Sequence, residues 1–356
     1  MQFVHIADMH FDMPFSTLNS KTKLGEIRRI EQRGAFNKII EFIKENDIKY
    51  FFISGDLYEQ EHVRQSTIEY INNCFKKIPN TKIYISPGNH DPIIKNSYYN
   101  KFNWAENVNI FTNEIGKYEE IEENVNIYGY GFDDFTVEKS PVLDIKLDNK
   151  EAINILVCHA SLDASTLLEK SYNPIPSKIL KNIGFDYVAL GHIHKKEYEA
   201  KNICYSGSAI SLGFDEPGDH GMLVGEIIKG KDLELAFVPV DKRKFEEKVI
   251  DVTNITSFEE LIQILDESYM EKIMYKIILT GKRSFEINIS KIFKTIINEN
   301  ILKIDDRTRL DYELELISKQ NNLKGIFVRN MLEKIRVNPE KEMEIKKSIE
   351  IGLNAL

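Results

Sequence analysis

Cysteine is scarce in this chain: three residues, Cys74, Cys158 and Cys204, stand far apart among 356. An odd number with no CxxC pair excludes a disulfide framework and a thiolate metal or redox motif, and fits a reducing compartment. Long apolar runs are missing as well. None approaches the roughly 20 residues of a membrane span, and Met1 is followed by Phe3-Val4-His5-Ile6 rather than by the basic and apolar regions of a secretion signal. A cytoplasmic location without membrane association is therefore expected. Internal repeats and low-complexity segments are absent too. Positive charge is in deficit, with 47 Lys+Arg against 56 Asp+Glu and a formal net charge of -9, which at first argues against a nucleic-acid partner. The deficit is local: residues 241–356 carry 21 of each sign, so the whole acidic excess, 26 against 35, falls in residues 1–240. Divalent cations bound there would cancel part of it, so net charge neither supports nor excludes DNA.

What is present is a recurring pattern. Apolar runs rich in β-branched and aromatic residues, Phe3 to Ile6, Tyr50 to Ile53, Ile83 to Ile85, Ile153 to Val157 and Tyr187 to Leu190, read as buried strands. Helical spacing of apolar residues spans Leu24 to Asn46 and Val63 to Lys77. Strand and helix alternate as in an α/β fold, whose ligands sit at the carboxyl ends of the strands. The length suggests two domains. From Glu197 onward short extended runs at Ile203 to Ser206, Gly221 to Ile228 and Leu233 to Val240 predict antiparallel sheet completing a first domain, 1–240. The charged stretch Asp241 to Lys244 reads as a linker to a smaller α+β domain, 241–320, followed by C-terminal helices, 321–356, divided at Asn338-Pro339.

Five polar clusters follow those five strands and hold five of the eight histidines: Asp8-Met9-His10, Gly55-Asp56, Gly88-Asn89-His90-Asp91, Cys158-His159 and Gly191-His192-Ile193-His194. Carboxylate, amide and imidazole are the donors that borderline-hard divalent metals prefer. One intervening residue puts Asp8 and His10, and likewise His192 and His194, on the same side of an extended strand end. Asp56 at a glycine turn can offer one oxygen to each of two ions. Asn89 can offer a carbonyl oxygen, while His90 can lie over a substrate as a proton donor. Taken singly each cluster is an ordinary turn or cap; five in order point to a two-metal hydrolase.

On Asp8, His10, Asp56, Asn89, His90, His159, His192 and His194 the sequence resembles the calcineurin-like metallophosphoesterases. The resemblance implies an α/β/β/α sandwich of two mixed sheets flanked by helices, with a smaller α+β capping domain. It implies that Asp8, His10, Asp56 and His194 hold one metal and Asp56, Asn89, His159 and His192 the other, with Asp56 bridging and His90 the non-ligand catalytic histidine. Within the superfamily, Phe3 to Asp12, Gly55-Asp56-Leu57-Tyr58-Glu59, Tyr205-Ser206-Gly207-Ser208 and Ile277 to Gly281 look most like the SbcD and YhaO type DNA-repair exonucleases. Glu59 departs from them, standing where they often carry aspartate or histidine.

This finer likeness implies a nuclease of DNA repair and recombination, with two divalent ions, manganese first and iron or zinc next. Its activity would be dsDNA exonuclease and ssDNA endonuclease. It implies an SMC-like coiled-coil ATPase partner of the SbcC or YhaN type, for which Pro339 to Leu353 is a docking candidate, and a homodimer, through Val63 to Lys77 and the residues after His90. Arg64, Lys95 and Lys101 are the candidate phosphate contacts. Two other readings are open: a phosphodiesterase of a small nucleotide or a phosphoprotein, since the fold does not determine substrate, and a non-catalytic DNA-end binding subunit.

Overall fold

The computed structural model describes residues 1–15, 24–165, 171–267, 270, 272–310 and 314–356. They form two compact units, Met1–Phe245 and Glu246–Leu356. In the first, β1 (Gln2–Ile6), β2 (Tyr50–Ile53), β3 (Lys82–Ile85) and β4 (Val108–Ile110) run parallel, with helices α1 (Leu24–Glu45) and α2 (Gln65–Phe75) connecting the first three, while α3 (Tyr98–Lys101) lies between β3 and β4. A second sheet contains β5 (Gly116–Glu120), β6 (Val125–Tyr130) and β7 (Ile153–His159). The short pair β8 (Ser161–Leu162) and β9 (Pro174–Ile175) and helix α4 (Ser177–Ile183) lead to β10 (Tyr187–Gly191), β11 (Glu197–Ala200) and β12 (Ile203–Tyr205). The chain then returns to the first sheet with β13 (Gly221–Glu226) and β14 (Glu234–Pro239), giving strand orders 14-13-1-2-3-4 and 11-12-10-7-6-5.

Both sheets are mixed. β1 pairs antiparallel with β13, and β6 antiparallel with β5. The expectation of antiparallel sheet after residue 197 holds for β11, β13 and β14, but β12 lies parallel to β10. Alternation along the strands explains the layering: Tyr50, Phe52, Tyr84 and Phe3 meet Ile127, Ile155, Val157 and Tyr187 between the sheets. Phe51 turns the other way, onto Phe75 of α2, which packs on Phe36 of α1. On the far side Leu156, Val188 and Leu190 join Leu180 of α4. The result is the α/β/β/α sandwich.

The stretch read as a linker is built into the first unit. The buried guanidinium of Arg28 makes paired bonds of 3.0 and 2.9 Å to Asp241, and its charge lies 5.7 Å from the Phe245 ring centre. In the second unit β15 (Lys244–Asp251), β16 (Ile273–Thr280) and β18 (Ile301–Asp306) form a sheet, with α5 (Phe258–Asp266) and α6 (Ile289–Thr295) supplying Leu261, Leu265 and Ile292 to its core; β17 (Lys282–Arg283) pairs with β19 (Arg309–Leu310). Helices α7 (Leu314–Ser318), α8 (Leu323–Val337) and α9 (Glu342–Ala355) have a core of their own. Of the apolar residues of α9, Ile345, Ile349 and Leu353 are spent in that core, while Met343 and Ile351 stay exposed. Among the described residues no helix is long and apolar enough to cross a membrane.

Candidate metal centre

All five polar clusters meet at one end of the two sheets. The backbone N–H of Asp8 donates to Gly55 O at 3.0 Å and that of His10 to Asp56 O at 2.8 Å, so the exits of β1 and β2 run side by side. Here the geometry corrects the extended-strand expectation: Asp8, His10 and Asp56 have φ of 52°, 47° and 52°, and His192 has φ of 103°. The side chains converge through left-handed turns, a conformation Asp and His tolerate better than most residues, and not through strand alternation.

The exits of the second sheet interlock with those of the first. His159, last residue of β7, has Nδ1 2.9 Å from the carbonyl oxygen of Ser54, and the N–H of His192 donates to both oxygens of Asp8 at 3.1 and 3.3 Å. Room for the His159 ring depends on glycine. A Cβ at Gly88 would meet the Asp56 carboxylate and the ring of His159, and one at Gly191 would strike Ser54 O.

Seven of the eight side chains are linked by measured proximity of donor atoms or rings, and the eighth, Asn89, by a hydrogen-bond distance. Ligand atoms of Asp8, His10 and His194 fall within 4.8 Å of one another, as do those of Asp8, Asp56 and His159 and those of His10, Asp56 and His90. Nε2 of His159 lies 3.0 Å from Asn89 Oδ1 and 3.4 Å from Asp56 Oδ2; the His192 ring centre is 5.2 Å from that of His159. Asp8, His10, Asp56 and His159 are buried, whereas His90 is open to solvent. Arg64, Lys95 and Lys101 are exposed: Lys101 Nζ donates to Asn96 Oδ1 at 2.9 Å, and Arg64 contributes its backbone N–H to Asp12.

Two acids that carry no metal motif orient the imidazoles. Glu59 Oε1 accepts from His10 Nδ1 at 2.7 Å and Oε2 from His90 Nδ1 at 2.9 Å; Glu216 Oε1 is 2.5 Å from His194 Nδ1. Glu59 was visible in the sequence as a departure, but nothing in the spacing tied either acid to an imidazole. With both Nδ1 atoms committed to carboxylates, Nε2 of His10 and Nε2 of His194 face one another across 3.1 Å. Two such nitrogens share either a proton or a cation at that spacing, and two imidazole nitrogens each about 2.1 Å from one ion, at roughly a right angle, stand about 3 Å apart. The donor set fits divalent metal.

Charge follows geometry. Burial opposes ionisation of Asp56, yet the imidazoles of His159, His10 and His90 hold it below the usual carboxylate range. Burial works against a charged His90 as well, but its bond to Glu59 and the nearby Asp56 raise it to about 9. Burial, with His159 beside it, takes His192 down to about 3, so it is neutral and free to ligate. Asp91 of the same loop, raised to about 6 by burial and by Asp56, accepts the N–H groups of Asp56, Leu57 and Gly88 at 3.0, 2.8 and 2.6 Å and braces two strand exits together.

The calcineurin-like phosphoesterase family model matches residues 1–196, the stretch that carries every one of the clusters. The chain belongs to this family. It is 22% identical over 280 residues to the uncharacterized metallophosphoesterase YhaO of Bacillus subtilis, covering 76% of this chain and 67% of that protein. It is 24% identical over 335 residues to the DNA double-strand break repair protein Mre11 of Methanocaldococcus jannaschii, covering 86% of this chain and 83% of that one. This phosphoesterase is thus a metal-dependent hydrolase of phosphate esters by family, with a centre whose donors suit divalent ions.

Proposed function

We propose that this phosphoesterase is a manganese-dependent DNA nuclease of double-strand break repair, working as a homodimer and as the nuclease subunit beside an SMC-like coiled-coil ATPase. One observation carries the reading: likeness to the archaeal break-repair protein covers 86% of the chain and so runs beyond the phosphoesterase unit, well into Glu246–Leu356. A phosphoesterase of small molecules has less reason to keep such a second unit.

Asp8, His10, Asp56 and His194 would hold one ion and Asp56, Asn89, His159 and His192 the other. Bound there, divalent ions supply Lewis acidity toward the phosphate and a hydroxide nucleophile at neutral pH. The chain's own residues do the rest. Glu59 keeps His90 protonated and turned by its Nδ1, which leaves Nε2 to deliver a proton to the departing sugar oxygen. The N–H of His90 donates to Asp56 Oδ1 at 2.8 Å, so the proton donor and the bridging carboxylate are held in one frame. Contacts to phosphate from Arg64, Lys95 and Lys101 would position a strand without reading its sequence. Exposed Met343 and Ile351 on α9 are where the ATPase would dock.

The test is hydrolysis of an end-labelled duplex with manganese. Wild type should cleave it, His90→Ala should lose about 10²–10⁴-fold in rate with its metal retained, and Asp56→Asn should lose both. Turnover of a small phosphodiester with DNA left intact would replace DNA by a nucleotide substrate; binding of duplex ends with neither activity would leave an end-binding subunit. Loss of ATPase capture by Met343→Glu/Ile351→Glu, with folding unchanged, tests the partner.

A further inference from the structure

The loop from Ser206 to Glu216 contains none of the polar clusters, yet its last residue reaches the centre. Oε1 of Glu216 lies 2.5 Å from Nδ1 of His194. The other oxygen is fixed as well: Oε2 accepts from the N–H of Leu212 at 2.9 Å and from the hydroxyl of Ser208 at 3.1 Å. Two donors on one oxygen set the plane of the carboxylate and aim the second oxygen at the imidazole. The Glu216 side chain is 15% exposed, so water competes poorly for these bonds.

The loop is pinned in turn. Ser211 donates its hydroxyl to Glu216 O at 2.8 Å and its N–H to Asp241 Oδ2 at 2.8 Å, and its carbonyl oxygen accepts from Arg28 Nη2 at 2.9 Å. The N–H of Ser208 donates to the carbonyl oxygen of His194 itself at 2.9 Å. A carboxylate that lay beside an imidazole by chance would have no such support. Ordering a glutamate side chain costs about 1.5–2 kcal/mol in rotamer freedom, and here buried partners on both sides of the loop offset it.

We propose that Glu216 is a positioning residue for His194: it keeps Nδ1 as the donor and Nε2 turned toward Nε2 of His10, and so sets the affinity for the ion those two imidazoles share. The inference rests on the two-metal reading of the centre and is independent of whether DNA is the substrate. A carboxylate that accepts from the free ring N–H of a metal-bound histidine fixes ring orientation and raises its basicity, and removing it typically weakens binding 10–100-fold. Glu59 serves His10 in the same way but also holds His90. Glu216 acts on the metal ligand alone, which separates its effect from that of the proton donor.

The experiment is calorimetric titration of manganese into the metal-free, full-length protein. Wild type should take up two ions. Glu216→Gln, which keeps the side-chain shape, should weaken one binding event about 10–100-fold and leave the other unchanged. Glu216→Asp, too short to reach His194 but still charged toward Leu212 and Ser208, should do the same and serves if the glutamine variant is unstable. In a His194→Ala background, Glu216→Gln should cause no further loss, because the two residues act as one. Equal affinities in wild type and both variants, or an additive loss in the His194→Ala background, overturn the inference while the metal centre stands. A wild type that takes up no manganese overturns the metal centre and the inference together.

Discussion

Nδ1 of His90 lies 2.9 Å from Oε2 of Glu59, whose other oxygen is bonded to Nδ1 of His10. One carboxylate therefore governs a buried imidazole of the metal-type set and an exposed one above it. Glu59→Gln is expected to lower kcat on a phosphodiester such as bis(p-nitrophenyl) phosphate by about 10–100-fold, and also to weaken manganese uptake. A variant with kcat at the wild-type level would show that the two bonds have no part in the chemistry; steady-state kinetics with metal titration makes the measurement.

Crowding at Gly88 predicts a second outcome. Its Cβ would enter space held by the Asp56 carboxylate and the His159 ring, so Gly88→Ala should cost about 1–3 kcal/mol of stability and weaken manganese binding together. Gly213→Ala, with open space around it, is the control and should do neither. Urea denaturation and metal titration of both variants provide the check.

His5 supplies the pH dependence. It is fully buried between β1 and β10, with Nδ1 2.9 Å from Tyr187 Oη and Nε2 3.1 Å from Ser54 Oγ, and burial lowers it to about 3. The unfolded chain takes a proton at His5 below its ordinary value near 6.5 while the native state refuses it, so this contribution to stability is intact above that pH and shrinks as pH falls toward 3. Between pH 7 and pH 5 the loss is about 2 kcal/mol. The unfolding free energy of metal-free wild type should therefore drop by about that much more over this interval than that of His5→Gln; parallel curves for the two would refute the assignment.

Arg28 is the buried charge that pairs with Asp241 and Glu31, at 2.9 and 2.8 Å. Arg28→Met strands Asp241, while Glu31 keeps Arg243 at 2.7 Å, and should destabilise the protein by about 3–5 kcal/mol, with part of the loss recovered when Asp241→Leu is added. Additive losses in the double variant, measured by urea unfolding, would mean that the pair is not the unit described.

The sheets' central strands and the meeting of the polar clusters at their ends were legible in the sequence because the two signals coincide: a run such as Phe51-Phe52-Ile53 must be buried, and the polar Asp56 just beyond it must then lie at a strand end. β6 leaves no such mark in the sequence, since Asn126 and Tyr128 interrupt the apolar pattern even though every residue of the strand is buried. Helix α4, seven residues long, has too few turns to show a period. The supporting acids were illegible for a different reason. Glu59 meets a partner 31 residues on and Glu216 one 22 residues back, and separations of that kind are set by how loops fold over the sheet ends, which leaves no periodic trace. Similarly, the left-handed turns at Asp8 and His10 bring together side chains that extended-strand spacing placed correctly in proximity but for the wrong geometric reason.

The seam between the sheets runs through the centre. Asp8, His10, Asp56 and Asn89 leave one sheet, and His159, His192 and His194 leave the other, joined by the Ser54–His159 and Asp8–His192 bonds. Any ion gripped from both sides is therefore a rivet between the two halves of the sandwich. Loading it adds to the apolar packing that already joins the sheets: at a hundred times the dissociation constant, an ion that binds only the folded protein adds about 2.7 kcal/mol against unfolding. A chelator would remove that contribution and leave the seam to its packing alone.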